Sequence, residues 1–199
     1  MNSGVSSILA LSDTHGNVPA LATVLRWACQ EQSSQNLTFT AAIFLGDGAE
    51  DLPLASAKEG FTVPWYKVRG NGDLNFSIPA SLVLEIPGHQ DLHKESGGSS
   101  RKLFLAHGNR HDVNDGGRMI AAAAKAAGAE AALFGHTHVP YCSLLDGIFL
   151  LNPGSIGRSR SNAGPTFAVL VCPDSGPFKA RFFCLVKKSG EIGVEEIQV

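Results

Sequence analysis

Cysteine is scarce in this chain and badly spaced for binding. Cys29, Cys142, Cys172 and Cys184 lie far apart with no C-x-x-C pair. That spacing excludes a thiolate zinc knot and a dense disulfide framework. The four read as buried reduced thiols, which fits a cytoplasmic protein. Long apolar runs are lacking too. Val5–Leu11 is too short to cross a membrane and has no basic region before it, so neither a membrane span nor a signal peptide is expected. An excess of one charge is also missing. Lys and Arg number 16 against 18 Asp and Glu, for a formal net charge of -2. Bulk electrostatics therefore gives no drive toward nucleic acid or membrane surfaces.

What remains has the balance of an ordinary globular chain, with 44% hydrophobic and 17% charged residues, and 199 residues suit one domain over 1–199. Short apolar runs punctuated by Gly, Asp or Asn predict buried strands at Val5–Leu11, Phe39–Leu45, Pro64–Val68, Lys102–Ala106 and Ala131–Phe134. Helical spacing of Ala20, Val24, Leu25 and Ala28 predicts a helix over Pro19–Gln32, capped by Asn17. An alanine-rich stretch predicts another from about Asn114 to Ala127, stopped by Gly128. Asp146-Gly147 between two apolar runs, Tyr141–Leu145 and Ile148–Leu151, is a two-residue hairpin signal. Thr166–Val171, Arg181–Val186 and Ile192–Val199 read as further strands, so the last third is expected to be mostly antiparallel. The whole predicts an α/β fold of two packed sheets with helices outside. Pro87–Ser100 and Arg158–Pro165 read as exposed connections.

The polar residues fall in a pattern. Asp13 and His15 follow the first apolar run, Asp47 the second, Asn71 and Asp73 the third, His107 the fourth, and His136 and His138 the fifth. If these strands share one sheet, their C-terminal ends form the edge where α/β ligand sites lie. Each segment alone is an ordinary turn or a lone histidine. Together they place three carboxylates and four imidazoles in one cleft. Crowded buried carboxylates repel one another, and divalent cations relieve that repulsion. A mixed Asp/Asn/His set suits Mn, Fe, Zn, Ni or Co better than Mg or Ca.

The segments SDTHGN, LGDG, RGNGD, AHG, GHTHVP and NPGSIG span positions 12 to 157. In them the chain resembles the calcineurin-like metallophosphoesterase superfamily. It is most similar to the small capless phosphodiesterase branch, which also holds the retromer subunit of the vacuolar sorting machinery. The resemblance implies a four-layer α/β/β/α sandwich. It also implies two divalent metal ions, manganese first. One ion would take Asp13, His15, Asp47 and His138; the other would take Asp47, Asn71, His107 and His136, with Asp47 shared. Asp73 would orient a neighbouring group rather than ligate, and the Asn152–Ser155 loop would support the site. The catalytic set implied is Asp47, Asn71, Asp73 and His107, with Asn71 and Arg160 on the substrate.

The implied reaction is hydrolysis of a small phosphate ester, a phosphodiester foremost, by in-line attack of a hydroxide bridging the two ions. One departure stands out. Where larger phosphatase branches carry histidine after the motif asparagine, and the small branch often cysteine, this chain has Gly72. The general acid is then open, with His111 or a metal-bound water as candidates. Arg69 and Arg158 could also meet phosphate at the cleft mouth. The competing expectation is a non-catalytic scaffold of the retromer-subunit type. Relatives are often dimers or larger, so the resemblance also admits a homo-oligomer.

Overall fold

The structure, a computed structural model, describes residues 5–87, 100–188 and 190–199. Strand β1 (Val5–Leu11) leads into helix α1 (Val18–Ser33), whose N-terminus is held by Asn17 Oδ1 accepting from Ala20 N at 3.2 Å. Strand β2 (Phe39–Phe44) follows, then a 3-10 turn (Ala49–Asp51), helix α2 (Leu52–Glu59) and strand β3 (Trp65–Lys67). Strands β4 (Ser81–Ile86) and β5 (Arg101–Ala106), helix α3 (Arg118–Ala126) and strand β6 (Ala131–Leu133) come next. The hairpin β7 (Pro140–Leu145) and β8 (Ile148–Pro153) turns at Asp146-Gly147, both at positive φ (51° and 82°) as a tight hairpin requires. Strands β9 (Thr166–Pro173), β10 (Lys179–Lys188) and β11 (Glu191–Ile197) complete the chain.

Two sheets form. One has the order β11-β10-β9-β1-β2-β3 and the other β4-β5-β6-β8-β7. Three apolar layers hold them. The first packs Leu21, Leu25 and Phe44 between the six-stranded sheet and α1 and α2. The second, with Ile8, Ile43, Leu103 and Leu133, lies between the sheets. The third seats Ile120 and Ala124 of α3 on Phe104 and Leu150. The result is the expected four-layer α/β/β/α sandwich. No described helix is long and apolar enough to cross a membrane.

Several expectations need correction. The five strands that precede the polar loops do not share one sheet. β1, β2 and β3 run parallel in the first, and β5 and β6 run parallel in the second. The last third is mostly antiparallel, as expected, with β8 alone joining β6 in parallel. The alanine-rich helix starts at Arg118 rather than Asn114. Gly116 and Gly117 just before it take positive φ (68° and 77°), which ends the preceding turn and delays the helix. Helix α2 and strand β4 were not anticipated. The segment Arg158–Pro165 forms no helix or strand, as expected. The connection Pro87–Ser100 lies, apart from its two end residues, outside the described residues.

Candidate metal centre

Each chemistry-bearing loop leaves the C-terminal end of a strand. Asp13 and His15 follow β1, Asp47 follows β2, Asn71 and Asp73 follow β3, His107 follows β5, and His136 and His138 follow β6. Backbone bonds stitch the loops together. Asp13 N donates to Gly46 O (2.9 Å), His15 N to Asp47 O (3.1 Å) and Gly135 N to His107 O (3.0 Å). The site therefore sits where the ends of both sheets meet.

The local backbone is unusual. Asp13, His15, Asp47, His136 and His138 have φ of 54°, 45°, 59°, 70° and 62°. Left-handed backbone is uncommon outside glycine, although Asp and His tolerate it better than most, and it concentrates at functional sites. It turns the side chains of successive loops toward one point. Neighbouring glycines make room. A Cβ on Gly70 would stand 2.0 Å from Asp47 Oδ1, and one on Gly135 would stand 1.9 Å from Ser12 Oγ.

The donor atoms converge. Asp13 Oδ1 lies 3.2 Å from His138 Nε2, 3.7 Å from His15 Nε2 and 4.0 Å from His107 Nε2. Asp47 Oδ2 lies 3.8 Å from His15 Nε2 and 3.7 Å from His107 Nε2. His15 Nε2 faces His138 Nε2 at 3.2 Å, and His136 Nδ1 faces His107 Nε2 at 3.3 Å. Asp13, Asp47, His107 and His138 are buried, while His15 and His136 are half-buried. Asn71 stands exposed at the rim, beside a cavity of about 230 Å³.

A ring of supporting bonds fixes what each donor presents. His107 Nδ1 donates to Leu45 O (2.7 Å) and His138 Nδ1 to Arg158 O (2.6 Å). A carbonyl can only accept, so the Nε2 lone pairs of both rings are left for the cluster. Asp13 Oδ2 takes Ser12 Oγ–H (2.5 Å) and His136 N–H (3.1 Å), and Asp47 Oδ1 takes Gly72 N–H (2.7 Å). Asp73 touches no imidazole of the cluster. Its carboxylate accepts N–H groups from Asp47 (2.9 Å), Gly48 (2.8 Å), Ala49 (3.0 Å) and Gly70 (2.8 Å). Burial opposes its charge, but these four bonds outweigh that and hold its pKa below the usual carboxylate range. Ser155 Oγ donates to Asp13 O (2.8 Å), and Asn152 Nδ2 donates to Gly135 O (2.8 Å). Both residues are fully buried, so this loop braces the site from below.

The residues present fit divalent cations. Asp13 Oδ1 is buried with no backbone or hydroxyl donor, and faces only imidazoles, His138 Nε2 at 3.2 Å foremost. A buried carboxylate oxygen left bare is costly unless a cation meets it. The inward imidazole nitrogens likewise face one another and the Asp13 and Asp47 carboxylates. Burial lowers the pKa of His15 and His136, which favours the neutral ligating form. The Asp13 carboxylate raises that of His138 against the opposing effect of burial.

Other sequence-derived residues are placed less centrally. Arg160 is joined to the site through its backbone, N–H to His138 O at 3.0 Å, and its side chain is exposed. His111 is half-buried. Its ring meets Phe104 edge-on, its Nδ1 is buried without a partner, and burial with nearby Arg110 lowers its pKa. Sequence reasoning missed Ser12 and the Thr14–Asp51 pair (2.5 Å), which ties the first loop to the 3-10 turn. Serine and threonine flanking an aspartate were the available signal, but only proximity in the fold shows what they hold.

Comparison with known proteins identifies the fold and the family. The probable metallophosphoesterase YsnB of Bacillus subtilis is 25% identical over 165 residues, 83% of each chain. A predicted phosphoesterase of Streptococcus pneumoniae has the same fold (TM-score 0.67, 24% identity, covering 98% of this chain and 100% of its own). So does Vps29 of Entamoeba histolytica, in a structure complexed with zinc (TM-score 0.66, 17% identity, 96% and 98%). An archaeal phosphodiesterase matches at TM-score 0.59 with 21% identity over 87% of this chain and 98% of its own. Residues 7–175 match the calcineurin-like phosphoesterase superfamily domain, and the chain belongs to that superfamily.

Proposed function

We propose that the protein is a phosphodiesterase working with two divalent ions, manganese first. The observation that carries this reading is the position of Asp47 Oδ2. It stands at nearly equal distance from His15 Nε2 (3.8 Å) and His107 Nε2 (3.7 Å), so one carboxylate faces both groups of imidazoles and would suit a shared ligand. Asp13, His15 and His138 would hold one ion with Asp47; His107, His136 and Asn71 would hold the other. Asp13 Oδ1 also lies within reach of the second group. When bound, such a pair lowers the pKa of a shared water and offsets phosphate charge.

The chain's own residues do the rest. The Nδ1 bonds of His107 and His138 fix ring orientation. Asp73 locks the Asp47 and Asn71 loops to each other, so that Asp47 keeps its place as charge changes at phosphorus. Gly72 leaves the space beside Asp47 clear, since a Cβ there would stand 3.2 Å from Asp47 Oδ1. That space suits the second arm of a diester. With no side chain at 72 and the pKa of His111 lowered by burial, departure of the leaving oxygen without a side-chain acid is favoured, which suits esters of acidic alcohols. The fold shared with an archaeal phosphodiesterase supports the same choice.

The test is metal analysis with turnover of bis(p-nitrophenyl) phosphate and p-nitrophenyl phosphate. Two ions per chain, a higher kcat/KM for the diester, and loss of turnover in Asp47→Asn are expected. The shared fold with Vps29 favours a scaffold reading instead. It would prevail if the loaded protein cleaved neither ester and Asp47→Asn altered only partner binding.

A further inference from the structure

The loop Asn71–Asp73 divides the surface beside the metal cluster into two cavities of about 230 Å³ each, with opposite charge. One is lined by Glu50 and Asp51 together with His15 and Asp47. The other is lined by Arg69, Arg110, Asn71, Asn109 and Phe76. Asp73 borders both, but its oxygens are occupied by four backbone N–H groups.

The two arginines of the second cavity differ from the structural ones. Arg26, Arg101 and Arg181 each pair with a glutamate. Arg69 and Arg110 pair with no carboxylate among the described residues. Arg69 instead lies over the ring of Phe76, 4.2 Å from its centroid, and that ring is 78% exposed. Stacking holds the guanidinium plane and leaves its N–H edge free to meet an oxyanion. Phe76 contributes little to the core, so its place at the mouth is explained by the arginine it supports. The cavity is smaller than the roughly 300–1,000 Å³ of sites that enclose a whole ligand, so it takes one arm of a substrate. Two guanidiniums match a group with close to two negative charges, as a phosphoryl group carries.

We infer that the Arg69–Arg110 cavity binds a second phosphoryl group, and that the substrates are phosphate esters bearing two phosphates. This rests on the phosphoesterase reading of the adjacent cluster. It also sets the direction of binding. The second phosphate lies on the arginine side, because Glu50 and Asp51 repel it from the other.

The test uses calorimetry on the metal-loaded protein with methylenebisphosphonate and methylphosphonate. The bisphosphonate should bind more tightly, and its advantage should fall about tenfold or more in both Arg69→Gln and Arg110→Gln, the size of one charge-assisted hydrogen bond. Bound ions alone also favour a bisphosphonate, so an unchanged advantage in both variants would overturn the inference. So would the absence of any advantage in the parent protein. Turnover of bis(p-nitrophenyl) phosphate by the same samples reports separately. Its absence removes the phosphoesterase reading, whereas turnover with equal affinities removes only the second-phosphate site.

Discussion

Four backbone N–H groups from two loops end on the carboxylate of Asp73. An amide in its place would turn an NH2 group toward two of those donors and leave them unsatisfied in a buried site. Asp73→Asn should therefore cost about 2–5 kcal/mol, read by urea unfolding at pH 7. The pH dependence has a definite sign. Because the folded pKa is depressed, the unfolded chain binds more protons over the window between the two values. The wild-type advantage is present above about pH 4, the ordinary carboxylate value, and is lost as pH falls through the folded pKa. Cys172 gives the alkaline counterpart. Burial pushes its thiol up to about 11, so it should resist alkylation at pH 9 until the chain unfolds. Its contribution to stability should fall between about pH 9 and pH 11, where only the unfolded thiol ionises. At this scale the sequence was most informative about the donors. Asp and His after apolar runs identify the side chains that converge. The braces were harder to read, because Ser12, Thr14 and Asp51 are ordinary turn residues until the fold brings their partners within reach.

The elements show a different division. Strands buried on both faces, such as β1 and β2, read as continuous apolar runs and were legible to within a residue or two. Helix α2 was not, because only Leu52 and Ala55 are buried and two residues give no periodicity. Strand β4 sits at a sheet edge, with Leu82, Val83 and Leu84 in a row that masks the alternation of its buried face. Between elements, Arg101 of β5 reaches across to the other sheet. It donates to Pro173 O and Gly176 O (both 3.0 Å), pairs with Glu130 and stacks on Phe178 at 3.9 Å. Arg101→Met would keep the apolar stem but strip these bonds. A loss of about 3 kcal/mol is expected, a fall in Tm of about 6–12 °C for a chain of this size, measured by thermal unfolding of the loaded protein.

For the molecule as a whole, the donors come from both sheets. Asp13, His15 and Asp47 leave the six-stranded sheet, while His107, His136 and His138 leave the five-stranded one. Ions bound between them would join the layers. At a free metal concentration a thousand times Kd, each site adds about 4 kcal/mol. Chelation should therefore lower Tm sharply in the parent protein and little in Asp47→Asn. Which sheet the last three strands join is what motif spacing alone left open. The antiparallel contact of β1 with β9 places them in the first sheet, and no local pattern announces it.

That contact also places the site in time. Roughly 160 residues separate paired positions of β1 and β9, about 8–30 s of synthesis at ordinary rates. Throughout that interval one edge of β1 has no strand beside it. Ser155, whose hydroxyl holds the backbone of Asp13, also emerges after His138. A ribosome that stalls just before residue 155 has already made every proposed donor. What it has not made is the loop that steadies the first of them, so the cage is complete only after a stretch of chain that itself supplies none of its donors.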